Sequence, residues 1–282
     1  MLTRRQFILG VTGGLVTAGP LAYSVGVEPR WLEVTHTTIP LSRPAPLREP
    51  VRIVQLSDFH LSRVVSLDFI AESVALALAQ KPDLIALTGD YCTRGPRQLE
   101  EYAKVLAPLA AAAPTFACLG NHDGGAYTKF WKGRGTIDQT IGFLKAANIP
   151  CLVNEGRAIT VRGQPFQIVG TGDYWTGMCA PTVAFRETPP RGDAVRVVLN
   201  HNPDAKDGFR KSDWDVMLCG HTHGGQVCLP FIGPPIVPVD DRRYIAGLYR
   251  WENRWLHITR GVGNLHGIRF NCRPEVSVLT LT

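Results

Sequence analysis

Five apolar runs in this 282-residue chain end in residues that commonly bind metal ions. In chain order these residues are Asp58 and His60, Asp90, Asn121, His201, and His221 and His223. Carboxylate, imidazole and amide-oxygen groups suit borderline or hard divalent ions such as Mn, Fe or Zn, and not soft copper. We therefore expect a site for such ions.

The runs themselves predict the elements that would bring these side chains together. A short stretch of Val, Ile and Leu bounded by turn residues is typical of a buried strand in a parallel or mixed sheet. Ligands of open α/β sheets bind where the carboxyl ends of strands meet their loops. The predicted strands are Val51–Ser57, Leu84–Gly89, Thr115–Gly120, Val195–Asn200 and Trp214–Gly220.

Helical patterns separate the first strands. Ser66 is a good N-cap, and Thr136 with Gln139 has the spacing of a capping box. Pro108 should kink the helix that contains it. The predicted helices run from Ser66 to about Gln80, from Arg97 to Ala113, and from Thr136 to about Asn148.

The second half is richer in strands. Ala158–Val161 and Pro165–Gly170 predict a hairpin with a turn at Arg162-Gly163-Gln164. Further predicted strands are Trp31–Ile39, Tyr244–Arg250, Trp255–Arg260 and Glu275–Leu281. Together the pattern predicts an α/β fold in one domain: a four-layer αββα sandwich of two mixed sheets flanked by helices.

The ordered motifs DxH, GD, GNHD, H and GHTH resemble the calcineurin-like metallophosphoesterase superfamily over roughly residues 51–225. They read Asp58-Phe59-His60, Gly89-Asp90, Gly120-Asn121-His122-Asp123, His201 and Gly220-His221-Thr222-His223. The resemblance implies two divalent ions. By position, the first takes Asp58, His60, Asp90 and His223, and the second takes Asp90, Asn121, His201 and His221. Asp90, midway through the order, is the best candidate for the carboxylate that two such ions share.

His122 stands beside a ligand without being one. In the family pattern this histidine lies over the phosphate and protonates the leaving oxygen, while a hydroxide held between the metals attacks phosphorus in line. Asp123 is expected to orient His122 or to neutralise its charge.

The form GHTHGGQ resembles the envelope phosphodiesterase branch, which lies close to the UDP-diacylglucosamine hydrolases of lipid A synthesis. The resemblance implies a metal-dependent phosphodiesterase or pyrophosphatase, with a lipid-linked nucleotide as one candidate substrate. A broad-specificity phosphomonoesterase is an alternative, because these ligands do not separate monoester from diester chemistry. An envelope metal-binding protein without catalysis is an alternative of another class.

The N-terminus predicts targeting. Arg4-Arg5, followed by Gln6-Phe7-Ile8, resembles the twin-arginine export signal of bacteria. The chain is uncharged from Gln6 to Val27. We expect residues 1–27 to be a cleaved signal or a retained anchor that engages the twin-arginine export machinery and places the protein in a bacterial envelope, exported or at the inner membrane. Residues 28–50 form a Pro-rich lead-in, and residues 51–282 form the metallophosphoesterase domain.

The composition excludes few classes of function. With 45% hydrophobic residues the chain can bury a large core. Its net charge of +6 comes from scattered residues, which does not indicate nucleic-acid binding. An anionic phosphorylated substrate and an anionic membrane surface both remain open as partners. Seven cysteines without a C-x-x-C pair do not suggest a disulfide-held fold.

Residues outside the motifs are interpreted conservatively. His36, His257 and His266 are expected to be surface or core histidines. Asp173 is expected to be a turn aspartate that could border the site. Arg243 and Arg269 are expected to be solvated unless one holds a substrate phosphate.

The segment Leu229–Val239 reads LPFIGPPIVPV, with four prolines and no charge. We interpret it first as a buried, rigid connection. The alternative is an exposed apolar lip beside the site that accepts acyl chains or touches a bilayer.

Overall fold

The computed structural model describes residues 19–43, 46–94, 98–124, 136–189 and 192–282. Arg4-Arg5 and Arg97, which belong to two of the predictions above, lie outside these residues. Residues 19–26 are helical, and within the described part of the chain no helix is long and apolar enough to span a membrane.

The first sheet is mixed and has five strands in the order β1-β11-β2-β3-β4. Their bounds are β1 Glu33–Ile39, β2 Val51–Leu56, β3 Leu84–Leu87, β4 Thr115–Ala117 and β11 Glu275–Leu281. β2, β3 and β4 are parallel, whereas β11 is antiparallel to β2 and parallel to β1. The segment expected as a lead-in thus contributes an edge strand.

The second sheet is also mixed and has six strands in the order β5-β6-β7-β8-β10-β9. Their bounds are β5 Glu155–Val161, β6 Gln164–Gly170, β7 Val195–Leu199, β8 Val216–Cys219, β9 Gly247–Trp251 and β10 Arg254–Ile258. The hairpin between β5 and β6 turns through Arg162 and Gly163, both at positive φ, as a two-residue turn requires. The three-residue turn predicted here is wrong, because Gln164 already pairs with Val161.

After the helical residues 19–26, four α-helices follow in the described part of the chain: α1 Leu67–Ala79, α2 Leu99–Ala112, α3 Ile137–Ala146 and α4 Pro181–Glu187. Ser66 caps α1 by accepting a hydrogen bond from the backbone N–H of Phe69 at 3.2 Å. Thr136 and Gln139 form the predicted capping box at α3. Pro108 lies inside α2. No sequence pattern predicts α4, which has seven residues and no side-chain cap.

Three buried apolar layers hold the fold together. On β2, Val54 and Leu56 pack under the helices α1 to α3, while Ile53 faces the second sheet. On β7, Val197 faces the first sheet, while Val198 packs in the layer on the far side. Strands apolar on both faces are expected where a sheet is covered on both sides. The predicted layered sandwich of two mixed sheets flanked by helices is confirmed.

A polar contact crosses between the sheets below the site. The Gln55 amide of β2 donates to the Thr88 hydroxyl at 3.0 Å and to the carbonyl of Cys219 at 2.9 Å. Its oxygen lies 2.8 Å from Nδ1 of His257 on β10. His257 is thus the satisfied core histidine that was expected, whereas His36 and His266 are exposed.

Candidate metal centre

The predicted metal ligands converge on one rim of the sandwich. Asp58, Asp90 and Asn121 follow strands β2, β3 and β4 of the first sheet. The three histidines follow β7 and β8 of the second sheet: His201, His221 and His223. All of these side chains and that of His60 are buried, none more than 4% exposed. So many buried polar groups need partners, and their burial is explained if they share a cation.

The backbone at this rim is strained in a way that function commonly requires. Asp58, His60 and Asp90 have φ of 53°, 51° and 60°, and His221 and His223 have φ of 72° and 51°. Residues other than glycine rarely occupy this left-handed region, and such strain concentrates at functional sites. The conformation turns each side chain back toward the rim.

Asp58, His60 and His223 form a first cluster of ligand atoms. Nε2 of His60 lies 3.0 Å from Nε2 of His223, and the latter lies 3.4 Å from Oδ1 of Asp58. Nδ1 of each histidine is buried without a hydrogen-bond partner among the described residues. Two imidazole nitrogens and a carboxylate oxygen in this arrangement fit a divalent cation.

Asp90, His201 and His221 form a second cluster. Nε2 of His201 lies 3.2 Å from Oδ2 of Asp90 and 3.2 Å from Nδ1 of His221. Asn121 follows the neighbouring strand, and its buried Oδ1 has no hydrogen-bond partner among the described residues. The next residue, His122, donates its backbone N–H to Asp90, and a buried amide oxygen without a partner at this position fits a ligand role for Asn121.

Asp90 belongs to the second cluster and also contacts His60 of the first. Its Oδ2 lies 3.4 Å from Nε2 of His60 and 3.2 Å from Nε2 of His201. A single carboxylate oxygen therefore faces a histidine of each cluster, which is the arrangement that a bridging ligand requires.

Backbone carbonyls orient two of the histidines. The Thr88 carbonyl lies 2.7 Å from Nδ1 of His201, so Nδ1 carries the proton and Nε2 is free to bind a cation. The Pro238 carbonyl lies 2.8 Å from Nε2 of His221, which leaves Nδ1 as the ligand atom. Neither carbonyl could be found from the sequence, because any residue type can supply one.

Burial and neighbouring charges set the protonation of the rim. Burial lowers the pKa of His60 and of His221 to about 3, so both are neutral, as ligands must be. Burial raises the pKa of Asp58 to about 6. Burial would lower the pKa of His201, but the carboxylate of Asp90 holds it well above its usual value. Burial would likewise raise the pKa of Asp90, which His201 instead holds well below its usual value.

Glycines permit the close approach of the ligand loops. A Cβ at Gly120 would overlap the Asp90 carboxylate, and a Cβ at Gly220 would overlap the hydroxyl of Ser57 and the carboxylate of Asp58. At Gly224, with φ of +61°, a Cβ would lie 2.7 Å from Sγ of Cys272. These positions require glycine for space.

His122 lies at the edge of the first cluster. Its ring centroid is 5.0 Å from that of His60, and its Nδ1 lies 3.0 Å from the Thr93 carbonyl. Because a carbonyl only accepts, Nδ1 carries a proton there. A ring nitrogen of His122 lies within 4.8 Å of ligand atoms of His60 and Asp90.

The Asp123 side chain binds backbone N–H groups of the ligand loops. Its carboxylate accepts hydrogen bonds from the N–H groups of Asp90, Tyr91 and Gly120 at 2.7 to 2.8 Å. Burial and the charge of Asp90 raise its pKa to about 8. Asp123 thus joins the loops after β3 and β4, and the expectation that it orients His122 or neutralises its charge stays a prediction.

The residues considered outside the motifs lie in different environments. Arg269 is neither solvated nor placed to hold a substrate: it is fully buried and donates to the backbone carbonyls of Arg260, Gly261, Gly263 and Cys272. Arg243 is exposed and pairs with Asp241. Asp173 is 1% exposed, and two residues later the Trp175 ring packs edge-on against His221 at 4.3 Å between centroids.

The Leu229–Val239 segment also corrects an expectation. Interpreted first as a buried connection, it is instead partly or fully exposed along its length. Phe231, Ile232 and Ile236 are among the most exposed large hydrophobic side chains described.

With this fold and this rim, the chain belongs to the calcineurin-like phosphoesterase family, whose model matches residues 51–225. The chain is 42% identical over 282 residues to phosphodiesterase YaeI of Escherichia coli, covering all of both chains. It is 30% identical to the metallophosphoesterase YkuE of Bacillus subtilis, over 99% of this chain and 98% of the relative. It is 26% identical to the UDP-2,3-diacylglucosamine pyrophosphatase LpxG of Chlamydia trachomatis, over 96% and 97%.

The family, these relatives and the Asp/His clusters define a metal-dependent phosphoric ester hydrolase.

Proposed function

We propose that this chain is a dinuclear phosphodiesterase or pyrophosphatase. The observation that carries the proposal is the position of Asp90 Oδ2, which faces His60 at 3.4 Å and His201 at 3.2 Å. A carboxylate oxygen shared by two ligand clusters is what a pair of divalent ions needs.

The ligand sets follow from the two clusters. Asp58, His60 and His223, with Asp90, would hold the first ion, and Asn121, His201 and His221, with Asp90, would hold the second. When bound, Mn, Fe or Zn ions would neutralise the phosphate and lower the pKa of the attacking water. Thr88, Pro238 and the glycines keep the ligand atoms aimed at one point.

We assign the general-acid role to His122. The Thr93 carbonyl holds its Nδ1, and its ring lies 5.0 Å from that of His60 between centroids. A proton on Nε2 can pass to the leaving oxygen as the P–O bond breaks, which matters most when that oxygen is a poor leaving group.

The substrate class is proposed from the relatives. One relative is a phosphodiesterase and another is a UDP-2,3-diacylglucosamine pyrophosphatase, both matching nearly the whole chain. A lipid-linked nucleotide such as UDP-diacylglucosamine is therefore our first candidate, and a phosphomonoester is the alternative. A non-catalytic metal-binding role is disfavoured, because the rim retains both the shared Asp90 and the spare His122.

The twin-arginine resemblance supports a place in the bacterial envelope, with residues 1–27 as signal or anchor. Lipid A precursors are made on the cytoplasmic side, so a UDP-diacylglucosamine substrate would require an anchor that leaves the domain facing the cytoplasm. Fractionation of cells with an epitope at the C-terminus, with and without Arg4→Lys and Arg5→Lys, tests the export route.

The decisive experiment compares three substrates side by side. Protein loaded with Mn is assayed on UDP-diacylglucosamine, on bis(p-nitrophenyl) phosphate and on p-nitrophenyl phosphate. We expect kcat/KM to be higher on the first two than on the monoester. A preference for the monoester would replace the proposal by the phosphomonoesterase alternative.

A further inference from the structure

The Leu229–Val239 segment presents apolar side chains to solvent on a well-formed turn. Phe231 is 109% exposed, Ile232 75% and Ile236 80%. Leu229 and Gly233 pair across the turn with N–H to O=C bonds of 3.0 and 2.9 Å. These apolar side chains are therefore exposed on a hydrogen-bonded loop. Large exposed apolar groups placed together mark an interaction surface.

Both sides of this loop are fixed to the metal-ligand loop. Gly225, two residues after His223, packs so closely on Pro234 that a Cβ would overlap its ring. Pro238 accepts the hydrogen bond from Nε2 of His221. The apolar turn thus has a defined position beside the candidate metal centre.

Aromatic side chains extend the exposed surface around His221. Trp175, 40% exposed, packs on the His221 ring, and its neighbour Tyr174 is 43% exposed. Amphipathic aromatic rings favour the boundary between lipid and water.

The root of the loop is also joined to the N-terminal segment. The side chain of Asn271 donates to the Cys228 carbonyl at 3.2 Å, and its backbone N–H donates to the Glu28 carboxylate at 3.0 Å. The backbone N–H of Arg269 donates to the Ser24 carbonyl at 2.9 Å. The segment from Arg269 to Asn271 therefore contacts both the apolar loop and the end of the uncharged stretch Gln6–Val27.

That end of the uncharged stretch is itself apolar and exposed. Leu21, Val25 and Val27 are 61%, 49% and 51% exposed. One basic group borders the apolar loop: Arg242 is exposed and donates to the carbonyls of Pro234 and Pro235. Apolar side chains bordered by a cation are typical of a surface that binds an anionic bilayer.

We propose that the Leu229–Val239 segment inserts its tip into an anionic lipid bilayer, so that the candidate metal centre faces the lipid headgroups. Phe231, Ile232 and Ile236 enter the interfacial region, while Arg242 lies at the level of the phosphates. The docking itself stands on the exposed loop; its consequence, that the phosphoester hydrolysed is carried by a membrane lipid, rests on the proposed function.

Insertion of the tip is tested in the full chain with F231W. The probe is vesicles of phosphatidylcholine and phosphatidylglycerol with bromine on the acyl chains, which quench tryptophan emission on contact. K104W, at an exposed position on α2, is the matched control. We expect the emission added by F231W to be quenched and that added by K104W to be unaffected. Unquenched F231W emission while the protein sediments with the vesicles would overturn the proposal.

The consequence for activity is tested with F231S/I232S/I236S, whose exposed positions should leave the melting temperature unchanged. We expect at least about a tenfold loss of kcat/KM on UDP-diacylglucosamine embedded in vesicles, and none on soluble bis(p-nitrophenyl) phosphate. Equal loss or no loss on both substrates contradicts the docking role. If the unsubstituted protein hydrolyses neither substrate, the proposed function fails, and the quenching experiment alone decides the docking.

Discussion

The backbone N–H of His122 donates a 2.8 Å hydrogen bond to Oδ1 of Asp90, whose other oxygen faces both ligand clusters. One carboxylate therefore fixes the backbone of the proposed general acid and also supplies the proposed bridging atom. In the proposed mechanism, a single side chain thus holds both His122 and the two ligand clusters in place.

Asp90→Asn should remove bound metal and activity together, because an amide lacks the second anionic oxygen and the charge that two cations share. We expect kcat/KM on an aryl phosphodiester to fall at least about a hundredfold. Metal content by atomic emission checks the cause, with Asp68→Asn, exposed on α1, as control. An Asp90→Asn protein that keeps two equivalents of metal would refute the bridging assignment.

His122→Ala should separate metal binding from proton transfer. We expect metal content to be unchanged and kcat to fall about 10²- to 10⁴-fold on alkyl phosphodiesters, with a much smaller loss on nitrophenyl esters, whose leaving group needs no proton. His266→Ala, at an exposed position, serves as the matched variant. Unchanged turnover of the His122→Ala protein on alkyl diesters would contradict the general-acid assignment.

Gly220→Ala should weaken metal binding through a steric cause alone. Its methyl group would displace the Asp58 carboxylate, and overpacking of this kind costs about 1–3 kcal/mol of folding stability. Gly142→Ala is the contrasting variant: it lies exposed on α3 with nothing near its Cβ, and should gain up to about 1 kcal/mol. Urea unfolding and metal titration of both proteins provide the comparison, and equal metal affinity would contradict the prediction.

His257 should make the metal-free protein less stable in acid. Burial lowers the pKa of His257 in the fold to about 4, from its ordinary value of 6.5. The unfolded chain therefore takes up a proton below about pH 6.5 while the fold does not, so stability falls as the pH drops from there to about 4. Each unit of pKa difference corresponds to about 1.4 kcal/mol, so the full effect is about 3 kcal/mol.

His257→Asn keeps a donor for Gln55 but cannot titrate. Between pH 7 and pH 5, urea unfolding of the metal-free variant should therefore show about 2 kcal/mol less loss of stability than the unsubstituted protein. Other buried histidines contribute equally to both proteins, so the difference isolates His257. Parallel pH profiles would show that His257 does not carry this dependence.

The strands could be predicted because each apolar run is bounded by a residue that ends it. β11 was predicted at Glu275–Leu281, with the bounds that the structure gives. The capping residues Ser66 and Thr136 predict α1 and α3, whereas α4 has no such signal because Ala180 offers no capping side chain.

Exposure was harder to predict than secondary structure. The segment from Leu229 to Val239 has the composition of a core, and Arg269 has that of a surface, yet each takes the opposite environment. Their environments depend on tertiary contacts. Pro234 packs on Gly225, and three backbone carbonyls between residues 260 and 263 accept hydrogen bonds from the Arg269 guanidinium. Such contacts between distant segments leave no local pattern in a single sequence.

The candidate ligands of the rim arise from both sheets, with Asp58 and Asp90 on one side and His201 and His221 on the other. The complete set therefore exists only while the sheets stay packed together. Bound metal would cross-link the two sheets, and the metal content of the protein would report on how well the core between them is packed. A truncation in that core, such as Val197→Ala, should therefore first lower the metal content of the protein.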